Sequence, residues 1–89
     1  MRNAVRIDVS DNVATVLRDV SERERIGWGE GSGLVACESI PEGHKVALVD
    51  IARGEKVVKY NRPIGNSTED IARGAHVHTH NLRTARWQQ

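Results

Sequence analysis

The sequence has few of the residues that usually stabilise a small domain. Its 89 residues include no phenylalanine, one tyrosine, two tryptophans and one cysteine. Cys37 therefore cannot form a disulfide within the chain, and a single thiol is typical of a reducing compartment. Its neighbour Glu38 would not activate a thiolate, so we expect Cys37 to be a buried structural thiol. The core must come from aliphatic residues, and the 17 valines and isoleucines favour strands because β-branched side chains fit a pleated surface.

The chain also lacks an excess of charge and a long apolar run. Its 13 basic and 12 acidic residues give a net charge of +1, which argues against a nucleic-acid partner. No segment approaches the ~20 apolar residues of a membrane span, and the first residues contain no apolar stretch of signal-peptide length. These absences predict a cytoplasmic protein whose partners include neither a nucleic acid nor a membrane. A P-loop, a dinucleotide fingerprint, a nucleophile elbow and a C-x-x-C pair are absent too.

The length predicts a single domain, residues 1–89, in which residues 83–89 form a flexible tail. A chain of this size buries only about 60–65% of the surface that it exposes when unfolded. Enzymes with an active-site cavity of their own are rarely this short. We therefore expect a module or subunit that works with a partner, and a homo-oligomer stays open.

Hydrophobic periodicity predicts a mostly β fold with one short N-terminal helix. Within residues 11–20, four apolar residues recur at the spacing of one helical face: Val13, Val16, Leu17 and Val20. Strands are predicted wherever β-branched residues cluster between turn signals, at residues 5–9, 34–38, 46–51, 56–60 and 75–82. The glycine-rich segment 21–33 is either a plain surface loop or a mobile flap with Trp28 at its tip.

The pentapeptide DIARG occurs twice, at residues 50–54 and 70–74, and a predicted strand follows each copy. Five identical residues in register are unlikely by chance, so the repeat indicates a shared structural device. Two copies cannot form a solenoid, which needs three or more. They could form the two arms of a compact β fold.

Three of the four histidines lie at alternate positions, His76, His78 and His80. If residues 75–82 are extended, these three side chains share one face while Val77 enters the core. Neutral imidazole is the commonest metal ligand. At ~3.3 Å per residue, His76 and His80 are ~13 Å apart, so at most two histidines, taken as His76 and His78, bind one ion.

Further ligands would have to come from elsewhere in the chain. His44 is the remaining histidine, and possible carboxylates are Glu69, Asp50 and Asp70. Asn81 either orients a ligand or caps the end of the strand. A polar strand face that is merely rich in histidine and a pH sensor are the alternatives to a functional site.

The segments IPEGHKVAL, DIARGEKVVKY, PIG and DIARGAHVHTHNL together resemble the N-terminal module of the altronate and galactarate dehydratase family. The same module occurs as the small subunit of sulfolactate sulfo-lyase. It is a SAF-type domain with a β-clip fold, and the resemblance covers residues 5–82, most closely 40–82. Two positions depart from the family pattern. Asn61 stands where the family usually has glycine, although asparagine tolerates a left-handed backbone, and Ser67 stands where alanine is frequent.

The resemblance implies an activity. Family enzymes remove water from hydroxy acids, or sulfite in the case of sulfolactate. They use a divalent metal such as iron. The chain would then be a small subunit that works on a small hydroxy-acid substrate with a separate large catalytic lyase subunit. The residues assigned to catalysis are His76, His78 and His80, of which His76 and His78 are also the metal ligands. The residues assigned to the substrate are His44, Lys45, Lys59 and Asn81.

Two other functions stay open. The domain could be a non-catalytic β-clip module that binds a sugar acid or a metal. It could also be a stand-alone metal-binding or chaperone-like β protein.

Overall fold

The computed structural model describes residues 2–84, and in that range the chain forms nine strands and no helix. The strands are β1 (Ala4–Val5), β2 (Val13–Val16), β3 (Arg25–Ile26), β4 (Leu34–Val35), β5 (Lys45–Ala47), β6 (Lys56–Lys59), β7 (Arg62–Ser67), β8 (His76–Val77) and β9 (Leu82–Thr84). The prediction of a mostly β fold is confirmed. No helix in this part of the chain is long and apolar enough to cross a membrane.

The strands form three antiparallel sheets. The largest sheet has the strand order β1-β2-β5-β8. A three-stranded sheet has the order β6-β7-β9, and the two-stranded sheet is the hairpin of β3 and β4. In the largest sheet, β5 pairs with β2 on one side, where Val46 faces Ala14, and with β8 on the other, where Val46 faces His76. β5 therefore joins the N-terminal half of the chain to the segment that carries the histidines.

The helix predicted within residues 11–20 is wrong, because this segment contains β2 in the interior of the largest sheet. Val13, Ala14 and Val16 are all buried. A strand that is covered on both faces shows a continuous apolar run instead of an alternation, and this run also matches helical spacing. Each predicted strand overlaps an observed strand that is shorter.

The two DIARG segments form a reciprocal pair. The backbones of Ile51 and Ile71 exchange two hydrogen bonds, with N···O distances of 2.8 and 2.7 Å. The aspartate of each segment accepts a hydrogen bond from the backbone N–H of the other segment's arginine, Asp50 from Arg73 and Asp70 from Arg53, both at 2.9 Å. The repeat is therefore a structural device in which each copy completes the other.

The first half of the chain has the same arrangement, formed by different residues. Val20 and Ile40 exchange two backbone hydrogen bonds of 2.9 and 2.8 Å, and they are 20 residues apart, as Ile51 and Ile71 are. Three residues after each of these four, the backbone has a positive φ: 74° at Arg23, 85° at Gly43, 87° at Gly54 and 90° at Gly74. A type II turn requires such a φ at its third residue, and glycine adopts it most readily.

Segment 21–33 packs against the rest of the fold at Ile26 and Trp28. β3 lies within this segment and pairs with β4, which follows it directly. The partly buried Trp28 packs against a core cluster that includes Ile26 and Val46. The side chain predicted at the tip of a flap therefore contributes to the core. The second core cluster lies around the DIARG pair and includes Val57 and Val77.

The prediction of a buried Cys37 is wrong, because this thiol is exposed. After β4 the inward position is taken by Ala36, which is 1% exposed, so Cys37 faces outward. Its Sγ donates a hydrogen bond to the carbonyl oxygen of Arg73 at 3.1 Å. At the other end of the chain, Arg83 and Thr84, which were assigned to the tail, belong to β9, and residues 85–89 lie outside the described residues.

The DIARG pair gives a direct test of the core. Ile51 is 2% exposed, whereas Ile7 is 50% exposed. I51A should lower the free energy of unfolding by about 2–5 kcal/mol because it leaves a cavity between the two turns. I7A removes the same atoms from the surface and should change it by less than about 0.5 kcal/mol. Urea denaturation measures both, and equal losses would show that the pair is not a core element.

Candidate functional site

The histidine-bearing segment is not one extended strand. β8 ends at Val77, and the chain then turns before β9 begins. Asn81 builds this turn and is 3% exposed. Its Oδ1 accepts a hydrogen bond from the His78 backbone N–H at 3.0 Å, and its Nδ2 donates one to the His76 carbonyl at 2.8 Å. The amide predicted to contact a substrate is thus occupied within the turn, where it ends the strand by competing with ladder hydrogen bonds.

Because the chain turns, the histidines do not line one straight face. His44 lies immediately before β5, whose partner is β8, and it meets both His76 and His78. The Nδ1 of His44 is 2.7 Å from the Nε2 of His76, and the His44 and His78 rings stack with their centres 3.7 Å apart. Nitrogen atoms of the three imidazoles lie within 4.8 Å of one another. We call His44, His76 and His78 the histidine cluster.

The histidine cluster fits a divalent metal ion. Three imidazole nitrogens suit zinc, iron, nickel or copper. With nitrogen–metal bonds of about 2.0–2.1 Å, tetrahedral ligands lie about 3.3 Å apart. The 2.7 Å between His44 and His76 is shorter than this by about 0.6 Å, which a small rotation of either ring would supply. Three protein ligands with a fourth position left for water or substrate are typical of catalytic metal sites.

The electrostatic surroundings favour the metal-binding form of these side chains. Burial lowers the pKa of His76, and the imidazoles of His80 and His44 lower it further. Burial also lowers the pKa of His78, again with a contribution from His44. A lowered pKa keeps both rings neutral near pH 7, and neutral imidazole is the form that binds metals.

His80 stands beside the histidine cluster but not in it. Its ring centre is 4.9 Å from that of His76, and the two planes are tilted by 40°. The sequence predicted that at most two of the three alternate histidines, taken as His76 and His78, bind one ion, with further ligands from elsewhere in the chain. The structure adds His44 to that pair, and the exposed His80 lies outside the cluster.

Two partly buried lysines lie near the histidines. Burial lowers the pKa of Lys45, and the nearby charge of Lys59 lowers it further. Lys45 in turn contributes to the lowered pKa of His78, so the cations and the imidazoles share one region. The Lys59 ammonium also lies 4.9 Å from the centre of the Tyr60 ring. Neither lysine forms an ion pair within residues 2–84, so this region is suited to an anionic ligand.

A comparison with protein families identifies the fold. The family model described as the altronate/galactarate dehydratase SAF domain matches residues 2–85. The chain belongs to this family. The SAF-type fold predicted from the sequence is therefore confirmed, apart from the N-terminal helix.

Known proteins similar to this SAF domain are of two kinds. Altronate dehydratase from Escherichia coli K12 is 42% identical over 80 residues, which are 90% of this chain and 16% of that protein. Altronate dehydratase from Bacillus subtilis 168 is 38% identical over 84 residues, 94% of this chain and 17% of that protein. The (2R)-sulfolactate sulfo-lyase subunit alpha of Paracoccus pantotrophus is 50% identical over 54 residues, 61% of this chain and 81% of that protein. The chain thus spans about a sixth of the dehydratases.

A buried carboxylate, that of Asp11, supports the turn that follows Lys59 in this SAF domain. Asp11 is 2% exposed, and its carboxylate accepts hydrogen bonds from the backbone N–H groups of Tyr60 at 3.0 Å and Asn61 at 2.8 Å. These two residues form the turn after Lys59 and have φ values of 58° and 60°. A turn with two left-handed residues and no glycine needs such support. Asn61 in place of the family's glycine was the available signal.

Glu38 is a second site residue that sequence reasoning missed. Its carboxylate accepts a hydrogen bond from the His76 backbone N–H at 3.0 Å, and its charge raises the pKa of His76 against the effect of burial. No local pattern links two residues that are 38 positions apart. Only the folded arrangement of the chain reveals this contact.

We predict that the histidine cluster binds a metal ion, since the turn built by Asn81 brings its three imidazoles together. Isothermal titration of the full chain with Co²⁺ should give about one ion per chain, accompanied by the visible absorption of a low-coordinate site. H44A and H78A should each weaken binding by about 100-fold or more, since losing a ligand costs at least as much as losing its outer-sphere support.

H80A is the matched control and should bind Co²⁺ almost as the parent does, because His80 lies outside the cluster. If H80A lost as much affinity as H78A, or if the parent chain bound no Co²⁺, the cluster would not be a metal site.

Asp11 predicts a specific pH dependence of stability. Burial by itself raises the pKa of Asp11, but hydrogen bonds from Asn61, Asp8 and Tyr60 outweigh it and hold the pKa below its usual value. A lowered folded-state pKa stabilises the fold above the unfolded value of about 3.9, and this contribution is lost as the pH falls through the folded value.

D11N should therefore unfold at lower urea concentration at pH 7 and lose less stability than the parent between pH 7 and about pH 3. The exposed carboxylate of Glu30 provides the control, and E30Q should follow the parent curve. Parallel curves for D11N and the parent would show that Asp11 is not a stabilising anion.

Proposed function

We propose that this chain is the small SAF-domain subunit of a metal-dependent hydroxy-acid lyase, and that a separate large subunit carries most of the catalytic residues. Two findings support the two-chain arrangement. The chain covers only 16% of an altronate dehydratase but 81% of a protein that is itself named a lyase subunit. We also propose a cytoplasmic location, because the exposed Cys37 suits a reducing compartment.

The observation that carries the proposal is the juxtaposition of three imidazoles with two lysines that have no acidic partner within residues 2–84. Eliminating water or sulfite from a hydroxy acid requires a base for the proton beside the carboxylate and stabilisation of the enolate that forms. It also requires an acid or a metal at the leaving group. The cluster offers a site for a metal, and the lysines offer positive charge that can stabilise the enolate.

In this proposal, His44, His76 and His78 hold the metal. A bound divalent ion supplies Lewis acidity to a substrate oxygen. Iron is the metal that the family resemblance implies, and the donor set is compatible with it. The neutral state of His76 and His78 lets them bind an ion near pH 7 without first losing a proton.

The remaining residues of this chain bind the substrate and move a proton. The Lys45 and Lys59 ammonium groups hold the substrate carboxylate, which relieves their mutual repulsion. His80 is exposed beside the cluster and can donate a proton to the leaving group or accept one. Asn81 supports catalysis indirectly, because it fixes the turn that carries His78 and His80. In this proposal, the base that removes the proton beside the carboxylate comes from the large subunit.

A non-catalytic binding module is the second candidate. All three members of the histidine cluster come from this one chain, so metal or sugar-acid binding needs no partner. Reconstitution distinguishes the two functions. The chain is combined with a large lyase subunit of the same genome, and elimination from altronate, galactarate and sulfolactate is followed by product formation. Activity only in the mixture supports the lyase subunit. A large subunit that is fully active alone, together with sugar-acid binding by the isolated chain, supports the module.

The lysines predict a separation of kinetic effects in the reconstituted enzyme. K45Q and K59Q should each raise KM by roughly tenfold, because each removes a charge-assisted contact to the substrate carboxylate. H80Q should lower kcat with a smaller change in KM, since it removes a proton-transfer group. K56Q, on an exposed lysine at the opposite end of β6 from Lys59, is the control and should leave both constants unchanged. The assignment fails if K56Q matches K59Q or if H80Q leaves kcat intact.

A further inference from the structure

We propose that this domain has a second anion site, separate from the histidine cluster, that binds a small oxyanion between Arg53 and Arg83. The site is a surface cavity of about 480 Å³ at the end of β7. Its lining residues are Arg53, Gly54, Asn66, Ser67, Thr68 and Arg83. None of them belongs to the histidine cluster, so this inference does not depend on the proposed lyase function.

The two arginines reach the cavity from different elements. Arg83 in β9 lies directly opposite Asn66 in β7, and Lys56 in β6 lies opposite Asn66 on its other side. Residues that face each other across an antiparallel pair project to the same face, so Lys56 and Arg83 flank Asn66. Arg53 approaches from the turn that precedes β6. Cations from three separate segments are therefore brought to one end of this sheet.

These cations are not neutralised within the described chain. Neither the Arg53 nor the Arg83 guanidinium forms an ion pair or a hydrogen bond within residues 2–84. The nearby Asp70 carboxylate accepts the backbone N–H of Arg53. Glu55 likewise accepts the backbone N–H of Ala52. Among residues 2–84 no carboxylate lines the cavity, so within this part of the chain an anion would meet two guanidinium groups without a competing charge.

The lining also defines the chemistry of the ligand. Guanidinium groups bind planar or tetrahedral oxyanions through paired N–H donors. The exposed Thr68 adds a hydroxyl, while the Ser67 hydroxyl is already bonded to the Ala52 carbonyl at 2.6 Å. The volume lies within the range of small-molecule sites, about 300–1,000 Å³. The ligand we infer is a small molecule that presents a phosphate or carboxylate group.

A hydrogen bond connects this cavity to the turn that carries the histidines. The backbone N–H of Thr68 donates to the carbonyl of Asn81 at 3.0 Å. The Asn81 side chain in turn bonds the backbones of His76 and His78. The amide signal of Thr68 therefore reports on the second site directly, and that of Asn81 reports on its connection to the first.

The test is a titration of the ¹⁵N-labelled full chain with inorganic phosphate, with malonate and with chloride at constant ionic strength. Phosphate or malonate should give saturable shifts of the Gly54 and Thr68 amides, and chloride should not. Stronger phosphate binding would indicate a phosphorylated ligand, and stronger malonate binding a carboxylate. R53Q and R83Q should each weaken binding roughly tenfold, as the loss of one charge-assisted contact predicts.

R62Q is the matched control. Arg62 is exposed at the far end of β7 and carries the same charge, so R62Q should leave phosphate affinity unchanged. The proposal is overturned if shifts rise linearly with anion concentration, if R62Q weakens binding as much as R53Q, or if saturable shifts are confined to the amides of Lys45 and the histidines. Thermal unfolding of each variant verifies the fold. Should R83Q unfold, R53Q and the parent titration still decide the outcome.

Discussion

The antiparallel pairing of β5 with β8 is the contact on which the site depends. Val46 faces His76 in this pair, and Lys45 faces Val77. One step further along the same register, His44 meets His78, and their rings stack with centres 3.7 Å apart. A slip of one residue would send these side chains to the other face of the sheet. The buried Val46 and Val77 oppose such a slip, so the core and the histidine cluster are specified by the same register.

The site concentrates several side chains that can carry a positive charge. Three imidazoles and two lysines lie together, and the pKa of Lys45 is lowered partly by the charge of Lys59. Their proximity is imposed by backbone contacts, of which the Asn81 turn and the Asp11 carboxylate are the closest. An anionic ligand would relieve the repulsion between Lys45 and Lys59. Charge repulsion that is retained in the folded protein is typical of binding sites.

Much of the fold could be predicted from particular residues. The β-branched composition predicted strands, and the repeated DIARG predicted a paired device, because five identical residues specify one turn twice. The quoted motifs led to the SAF family, which the comparison confirmed. Two errors had different causes: burial on both faces made β2 resemble a helix, and the Asn81 amide ended β8 after two residues. Local pattern cannot show which backbone groups a side chain will occupy.

The site was only partly predictable for the same reason. Its residue types were visible, but the grouping of His44 with His76 and His78 depends on strand register between positions that are 32 apart in the chain. Asp11 and Glu38 act through backbone N–H groups far away in sequence, and such contacts leave no periodic trace. Trp28 looked like the exposed tip of a glycine-rich loop, yet an aromatic ring in so thin a core is used for packing.

The twin turns suggest how such a framework could have arisen. Val20 and Ile40 are bridged as Ile51 and Ile71 are, over the same interval of 20 residues, and Asp19 accepts the Glu42 backbone N–H as Asp50 accepts that of Arg73. A protein of half the length could form the same reciprocal pair of turns with a second copy of itself. Duplication and fusion of such a gene would leave the two halves free to diverge. One could then keep the aliphatic scaffold while the other acquired a run of imidazoles.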